Sequence, residues 1–218
     1  MTKYRITLIL SIIIIAFCAP SFGSSRPGMV RVSGGPFTMG CDELSEQNRT
    51  GSRVVDLPEF WMDVTEVTNL AYEKIFPEHK ERRHETSQCD DCPVTRVSWF
   101  QAREYCKALD KDLPTEEQWE KSAGALDSCG YSWGAQIFAG ASDARGSGLV
   151  RGGFKLEEGA SPVASYPPNR FGIYDISGNV WEWTSTAWGP FKVRRGGAWS
   201  DDIRGLRVSW RDWSDAHA

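Results

Sequence analysis

Most of the second half of the sequence lacks the periodicity of a long helix. The chain contains 21 glycines, 11 prolines and 10 tryptophans, and beyond Leu126 the tryptophans stand singly among glycines and polar residues. Glycine and proline favour turns, and an isolated tryptophan can bury a large apolar surface from a short strand or loop. This part of the chain therefore predicts short strands and extended loops that are held together by aromatic packing.

Three helices are predicted in the first half of the chain. Ser98 and Gln101, and again Thr115 and Gln118, have the spacing of a capping box, in which each side chain bonds the backbone of the other residue. Thr68 can cap a shorter helical segment over residues 68–76. The residues expected on the buried faces are Leu70, Tyr72, Ile75, Trp99, Ala102, Cys106, Leu109, Trp119 and Ala123.

The β-prone stretches complete an α+β pattern. Val30 to Met39, interrupted by Gly34, Gly35 and Pro36, predicts an opening hairpin, and residues 60–67 predict another strand. Helices followed by a loop-rich β region indicate a single α+β domain with much irregular structure. No glycine-rich loop has the spacing of a nucleotide-binding fold.

Residues 1–23 are typical of a secretory signal peptide. Lys3 and Arg5 precede an apolar run, and Ser21 and Gly23 offer small residues for cleavage. The mature domain would then comprise residues 24–218 and be periplasmic or secreted. No later segment approaches the 20 or so apolar residues that span a bilayer, so we expect no membrane span.

The charge argues against a polyanionic partner. Removing Lys3 and Arg5 changes the formal net charge from −4 to −6. An acidic domain lacks the basic footprint with which proteins bind nucleic acid or anionic lipid. The partners left open are a protein, a peptide or a small molecule.

Five cysteines remain after removal of the signal, so complete pairing is impossible. Cys89 and Cys92 are near neighbours before Pro93, and an exported protein favours a disulfide there; a redox-active pair, or a zinc site with His79 and His84, is the alternative. Cys41 and Cys129 form the second expected pair. Cys106, on the apolar face of a helix, is then expected to be the free, buried thiol.

Short motifs recur in one order across the chain. They are GPFTMG (35–40), TEVTN (65–69), PVTRVSW (93–99), LPTEEQWE (113–120), WG (133–134), PPN (167–169), FGIYD (171–175), GNVWEW (178–183) and RGGAW (195–199). In this order they resemble the formylglycine-generating enzyme family, also called the sulfatase-modifying-factor domain. The resemblance implies a fold related to the C-type lectins.

The oxidase chemistry of that family does not carry over to this sequence. In the oxidase members, two cysteines shortly after the Arg-Gly-Gly motif bind copper(I), a soft ion that prefers thiolates. Residues 199–213 contain no cysteine. We therefore expect no bound copper and no formylglycine-generating activity.

The resemblance also implies a calcium site. In characterised relatives the matching stretch supplies hard oxygen ligands, which Ca²⁺ requires. Carried over to this chain, the ligands are Asp175, Gly178, Val180, Glu182 and Glu66. The alternative is a tight turn packed by Trp181 and Trp183, without a metal.

The end of the sequence departs from the family pattern. Family domains usually finish with a Gly-Phe-Arg strand, often followed by a cysteine that pairs with a helix cysteine at the position of Cys106. This sequence stops at Ala218, after His217. The expectation is that the domain lacks its closing strand, either because the sequence is cut short or because this member has lost the strand.

Three functions are compatible with these observations. The leading hypothesis is an exported binding or accessory module without copper. A maturation enzyme of the broader family, of the siderophore-maturation type, is the second, and a truncated oxidase is the third. In the enzyme hypothesis the reaction cleft would be lined by Trp199, Ser200, Asp201, Asp202 and Arg204. Trp188, Trp210 and Trp213 are further cleft candidates, and no Ser-His-Asp triad is indicated.

Overall fold

A computed structural model describes residues 26–42, 51–124, 129–132 and 159–218. The α-helices are α1 (Asn69–Glu73), α2 (Trp99–Ala108) and α3 (Glu116–Ala123), with 3-10 helices at Pro77–Arg82 and Ile203–Leu206. The strands are β1 (Met29–Val32), β2 (Gly35–Met39), β3 (Arg53–Leu57), β4 (Phe60–Asp63), β5 (Glu182–Trp188), β6 (Phe191–Arg195) and β7 (Arg211–Ser214). The α+β class is confirmed. The expected signal peptide and the WG motif at 133–134 lie outside the described residues.

The predicted helix starts are confirmed. Ser98 and Thr115 each form both halves of the capping box, and Thr68 accepts a hydrogen bond from Ala71 N. Two of the residues expected on buried faces are instead exposed, Leu70 (43%) and Leu109 (42%). Leu109 is the C-cap of α2, so it has left the helical face, and α1 is only one turn long.

The predicted opening hairpin is wrong. β1 pairs with β4 and β2 pairs with β3, both antiparallel and in one shared register: Met29 lies opposite Asp63 and Met39 opposite Arg53. Residues 29–39 are therefore one arm of a longer ribbon, and residues 53–63 are the other. Pairing stops in the middle, opposite Pro58, whose nitrogen has no hydrogen to donate.

The core lies between α3 and the second half of the chain. Trp119 is completely buried and packs with Ala123, Ile173, Ile176 and Val208. β5, β6 and β7 form a three-stranded antiparallel sheet, and α3 packs on β5 and β6. This core holds the 171–183 segment in place beside α2 and β4.

A buried ionic network ties α3 to this sheet. The guanidinium of Arg195, 1% exposed, donates to Glu120 and to the carbonyls of Val208 and Trp210. Arg211 donates to Glu116 at 2.6 Å. Buried charges are tolerated only when they are paired in this way.

Two disulfides are present, Cys41–Cys129 and Cys89–Cys92, and Cys106 is a free thiol. These are the states expected from the sequence, except that Cys106 is half-buried rather than buried. No helix among the described residues is both long and apolar enough to cross a bilayer.

Candidate functional site

A cavity of about 700 Å³ lies between β4, α2 and the segment 173–183. Its volume is within the range of about 300 to 1,000 Å³ that ligand sites occupy. Much of the wall is aromatic: Phe60, Trp61, Tyr105, Tyr174, Trp181 and Trp183. Polar groups among these aromatic side chains are what give such a cavity its specificity.

Glu66 is one of five acidic residues that border the cavity, with Asp63, Asp110, Asp112 and Glu182. It follows β4 and reaches across to the GNVWEW motif, where its oxygens accept hydrogen bonds from Asn179 Nδ2 at 2.5 Å and Val180 N at 3.2 Å. Burial raises the pKa of Glu66 well above its ordinary value, and the nearby carboxylates of Glu182 and Asp175 raise it further. A carboxylate in this setting lacks a compensating positive charge.

Glu182 also borders the cavity and is the first residue of β5. Its Oε2 accepts a hydrogen bond from Trp119 Nε1 at 2.9 Å. Burial, with a smaller effect of Asp175, raises the pKa of Glu182 to about 7, although the Trp119 bond opposes this change. Asp175 itself accepts from Ala164 N at 2.6 Å.

The other wall of the cavity comes from α2 and the loop after it. Lys111 forms an ion pair with Asp63 at 2.6 Å. Cys106 borders the cavity, and burial, aided by Asp63 and Asp112, raises the pKa of its thiol to about 11. The thiolate, which is the reactive form, is therefore scarce near neutral pH.

Comparisons with known proteins agree with this fold. The family described as "Sulfatase-modifying factor enzyme 1-like domain" matches residues 18–218. The chain belongs to the sulfatase-modifying-factor family.

Relatives of this family domain carry different names. The chain is 30% identical to "Inactive C-alpha-formylglycine-generating enzyme 2" of Mus musculus, over 82% of this chain and 76% of that protein. It is 29% identical to "Formylglycine-generating enzyme" of Bos taurus, over 73% of this chain but only 58% of that protein. It is 26% identical to "Hercynine oxygenase" of Mycolicibacterium smegmatis, over 87% of this chain and 59% of that protein.

Solved structures have the same fold. "Treponema denticola variable protein 1" superposes with a TM-score of 0.71 at 18% identity, over 87% of this chain and 90% of that one. "Structure of PvdO from Pseudomonas aeruginosa" superposes with a TM-score of 0.68 at 21% identity, over 86% and 88%. These likenesses establish the formylglycine-generating-enzyme-like, C-type-lectin-like fold.

The carboxylates expected to bind calcium lie near one another, because Glu182 and Asp175 both raise the pKa of Glu66. Glu66, Asp175 and Glu182 each accept a hydrogen bond from a protein N–H. Within the described residues no three His, Cys, Asp or Glu side chains form a metal-binding group. The expected calcium site stays a prediction.

Asn179 connects this region and was missed as a site residue. It is 2% exposed, has a φ of 60°, and donates through Nδ2 to both Glu66 and the Ser161 carbonyl. Its Oδ1 accepts from Ser161 N at 2.9 Å. An asparagine between a glycine and a valine in GNVWEW was the available signal, because asparagine tolerates a positive φ better than other residues with a side chain.

The cleft residues of the enzyme hypothesis have structural roles and do not border the cavity. Asp201 caps Ala198 N at 2.7 Å, and Asp202 caps the second 3-10 helix and pairs with Arg204 at 2.8 Å. Trp199 N donates to the Asn179 carbonyl, and Ser200 is exposed. None of the five borders the cavity between β4 and α2.

The remaining sequence candidates also separate. Cys89 and Cys92 form a disulfide, His79 is buried against Tyr72, and His84 bonds Thr86, so no zinc site forms from these residues. The rings of Trp188 and Trp213 stack 6.0 Å apart at the far end of the sheet.

Proposed function

We propose that this chain is a binding or accessory module of the sulfatase-modifying-factor family that holds its ligand in the cavity between β4, α2 and β5. The observation that carries the proposal is this aromatic cavity, whose wall includes Glu66 and Glu182, two carboxylates whose pKa values are raised by burial. The ligand classes that such a cavity accommodates are a protein segment, a peptide and a small molecule.

The absence of oxidase chemistry is part of the proposal. No cysteine follows Gly197, so residues 199–213 supply no thiolate for copper(I). A relative that covers most of the chain carries the name "Inactive C-alpha-formylglycine-generating enzyme 2". Incubation with copper(I), oxygen and a Cys-x-Pro-x-Arg peptide should give no formylglycine above a protein-free blank; formation above the blank would contradict the proposal.

A cationic aromatic dye tests the cavity as a binding site. Thioflavin T fits both the aromatic wall and the carboxylates, and its fluorescence should rise on binding the full chain. Ala102 borders the cavity from α2, so Ala102→Phe should fill it and abolish the rise. Ala187→Phe makes the same change at an exposed position of β5 and is the control. Equal fluorescence in both variants would contradict the proposed site.

Calcium remains a proposal for the same region. Its support is the closeness of three carboxylates: Glu182 and Asp175 both raise the pKa of Glu66, and Asp175 raises the pKa of Glu182. The Gly178 and Val180 carbonyls would have to complete the ligand set, and Glu66 and Glu182 would have to turn from their N–H donors. The melting temperature should then rise with Ca²⁺ relative to chelator, and Glu182→Gln should remove the rise. Identical melting curves would exclude the site.

Export is likewise proposed. The pattern of residues 1–23 and the two disulfides support it, because disulfides persist in oxidising compartments. N-terminal sequencing of the protein from its native host should begin near Ser24; an intact Met1 in the cytoplasmic fraction would contradict export.

A further inference from the structure

The two cysteines of the Cys89–Cys92 disulfide differ in exposure. Cys89 is exposed, whereas Cys92 is only 6% exposed. The Sγ atom of Cys92 lies 3.9 Å from the carbonyl oxygen of Ala160. A thiol at Cys92 is a weak hydrogen-bond donor, and this carbonyl would be its acceptor. The surroundings of the buried cysteine therefore suit a thiol as well as a disulfide.

The loop that contains this disulfide is held to α1 by hydrogen bonds that do not involve sulfur. Asn69 N donates to the Cys92 carbonyl at 2.9 Å, and Leu70 N donates to the Asp90 carbonyl at 3.0 Å. The side-chain amide of Asn69, a residue that is 1% exposed, donates to the Cys89 carbonyl at 2.9 Å. The loop therefore keeps these anchors when the bond between the two sulfurs is broken.

The same loop has two further anchors. The Arg83 guanidinium, whose side chain is 8% exposed, donates two hydrogen bonds to Glu73 of α1 and one to Asp90 at 2.8 Å. The Asp91 carbonyl accepts from Val163 N at 2.9 Å. The loop is thus attached to α1 and to the segment around Val163 without the help of the disulfide.

The second disulfide has a different setting. Cys41 and Cys129 are 88 positions apart, whereas Cys89 and Cys92 are 3 apart. A disulfide that closes a long loop constrains the unfolded chain more, so Cys41–Cys129 should contribute more to stability. Cys41 is also only 2% exposed. Breaking the Cys89–Cys92 bond should therefore cost the fold less, and its exposed sulfur is easier to attack.

We propose that Cys89–Cys92 is a reversible redox site, which accepts two electrons from a dithiol that attacks Cys89. The inference goes beyond the proposed binding function and is independent of it, because neither cysteine borders the cavity. The co-substrate class is a molecule or protein with two neighbouring thiols, and Cys41–Cys129 is the structural disulfide of the domain.

The exchange proceeds in two steps. A thiolate of the dithiol attacks the Sγ atom of Cys89, the bond between Cys89 and Cys92 breaks, and Cys92 leaves as a thiolate that takes up a proton. The second thiolate of the dithiol then attacks the sulfur that its own molecule has bound to Cys89, and Cys89 leaves and is protonated in turn. The dithiol is oxidised to a disulfide and the two cysteines are reduced to thiols. An excess of the oxidised dithiol drives both steps backwards.

A redox titration of the wild-type full chain tests reversibility. The protein is equilibrated with mixtures of reduced and oxidised dithiothreitol, thiols are blocked with N-ethylmaleimide, and mass spectrometry locates the label. Cys89 and Cys92 should be labelled together in reduced mixtures and protected again in oxidised ones. Their reduction should be about tenfold faster than that of Cys41–Cys129, because access limits exchange. Equal rates for the two disulfides, or no reduction of Cys89–Cys92 in the folded protein, would overturn the proposal.

Urea denaturation shows whether the reduced protein stays folded. With Cys89 and Cys92 reduced and Cys41–Cys129 intact, the domain should keep a cooperative unfolding transition, because the loop retains its hydrogen bonds. Loss of that transition on reduction of Cys89–Cys92 alone would show that this disulfide is structural and would overturn the proposal.

Single-cysteine variants test the point of attack. Cys92→Ser and Cys89→Ser are each made together with Cys106→Ala, so that one free thiol remains, and each is treated with oxidised glutathione. The mixed disulfide should form on Cys89 about tenfold faster than on Cys92, because Cys92 is buried. Equal rates would overturn the assignment of Cys89. The wild-type titration does not depend on these variants, so it decides the proposal if one of them does not fold.

Discussion

Replacement of Arg195 by methionine should remove much of the stability of the domain. Arg195 is 1% exposed and its guanidinium is shared between Glu120 and main-chain carbonyls that follow the second 3-10 helix. Methionine fills similar space but leaves the Glu120 carboxylate buried without its cation. Breaking a buried ion pair from one side costs about 3 to 5 kcal/mol of unfolding free energy. The total unfolding free energy of a domain is only about 5 to 15 kcal/mol.

Urea denaturation measures this loss. With a slope of about 2 kcal/mol/M, a cost of about 4 kcal/mol lowers the unfolding midpoint by about 2 M. The control is Arg53→Met, because Arg53 pairs with Glu117 at 3.0 Å on the surface, where its side chain is 47% exposed. Such an exposed ion pair contributes about 1 kcal/mol or less to the unfolding free energy.

A double variant tests whether the unpaired, buried carboxylate of Glu120 causes the loss of stability. Glu120→Gln added to Arg195→Met should recover part of the lost midpoint, since the neutral amide needs no cation. Similar midpoints for Arg195→Met and Arg53→Met would refute the reasoning that the buried network, rather than charge number, holds α3 to the sheet.

Three further predictions concern single positions. Gly197→Ala should lower the unfolding free energy by about 1 to 3 kcal/mol, because the residue has a φ of 75° and an added Cβ would lie 2.7 Å from the Gly205 carbonyl oxygen. The control is Gly189→Ala, where φ is 59° but an added Cβ meets no atom within 4 Å, so the unfolding free energy should fall by less. Iodoacetamide without reductant should label Cys106 slowly in the native protein and faster as pH rises toward its pKa of about 11; a label on Cys41 or Cys129 instead would contradict the pairing. The pKa of Glu182 is raised to about 7, so the contribution of this group to the unfolding free energy is largest below about pH 4.5 and is lost as pH rises through 7; in calcium-free buffer the urea midpoint should fall between about pH 5 and 8. Glu182→Gln should flatten that fall, and an unchanged pH profile would argue against the assigned environment of Glu182.

Features that depend on neighbouring residues were predictable. The capping boxes at Ser98 and Thr115 involve residues three positions apart, and their hydrogen bonds are satisfied within one turn of helix. The ordered motifs predicted the family, and the lack of cysteine after Gly197 is by itself an argument against copper. These inferences need no knowledge of which distant segments meet.

Features that depend on distant segments were not predictable. The prediction of an opening hairpin was wrong because β1 and β2 are successive parts of one arm and do not pair with each other. Their partners, β4 and β3, come later in the chain, and no local sequence signal indicates that pairing. The half-buried Cys106 and the cavity beside it arise because β4 and the start of β5 approach α2 without pairing with each other. Local hydrogen bonds are encoded by nearby residues, so the sequence by itself determined the helix starts and, through the ordered motifs, the family. Strand partners and cavity walls depend on which surfaces the whole chain can bury together, and only the tertiary structure decided them.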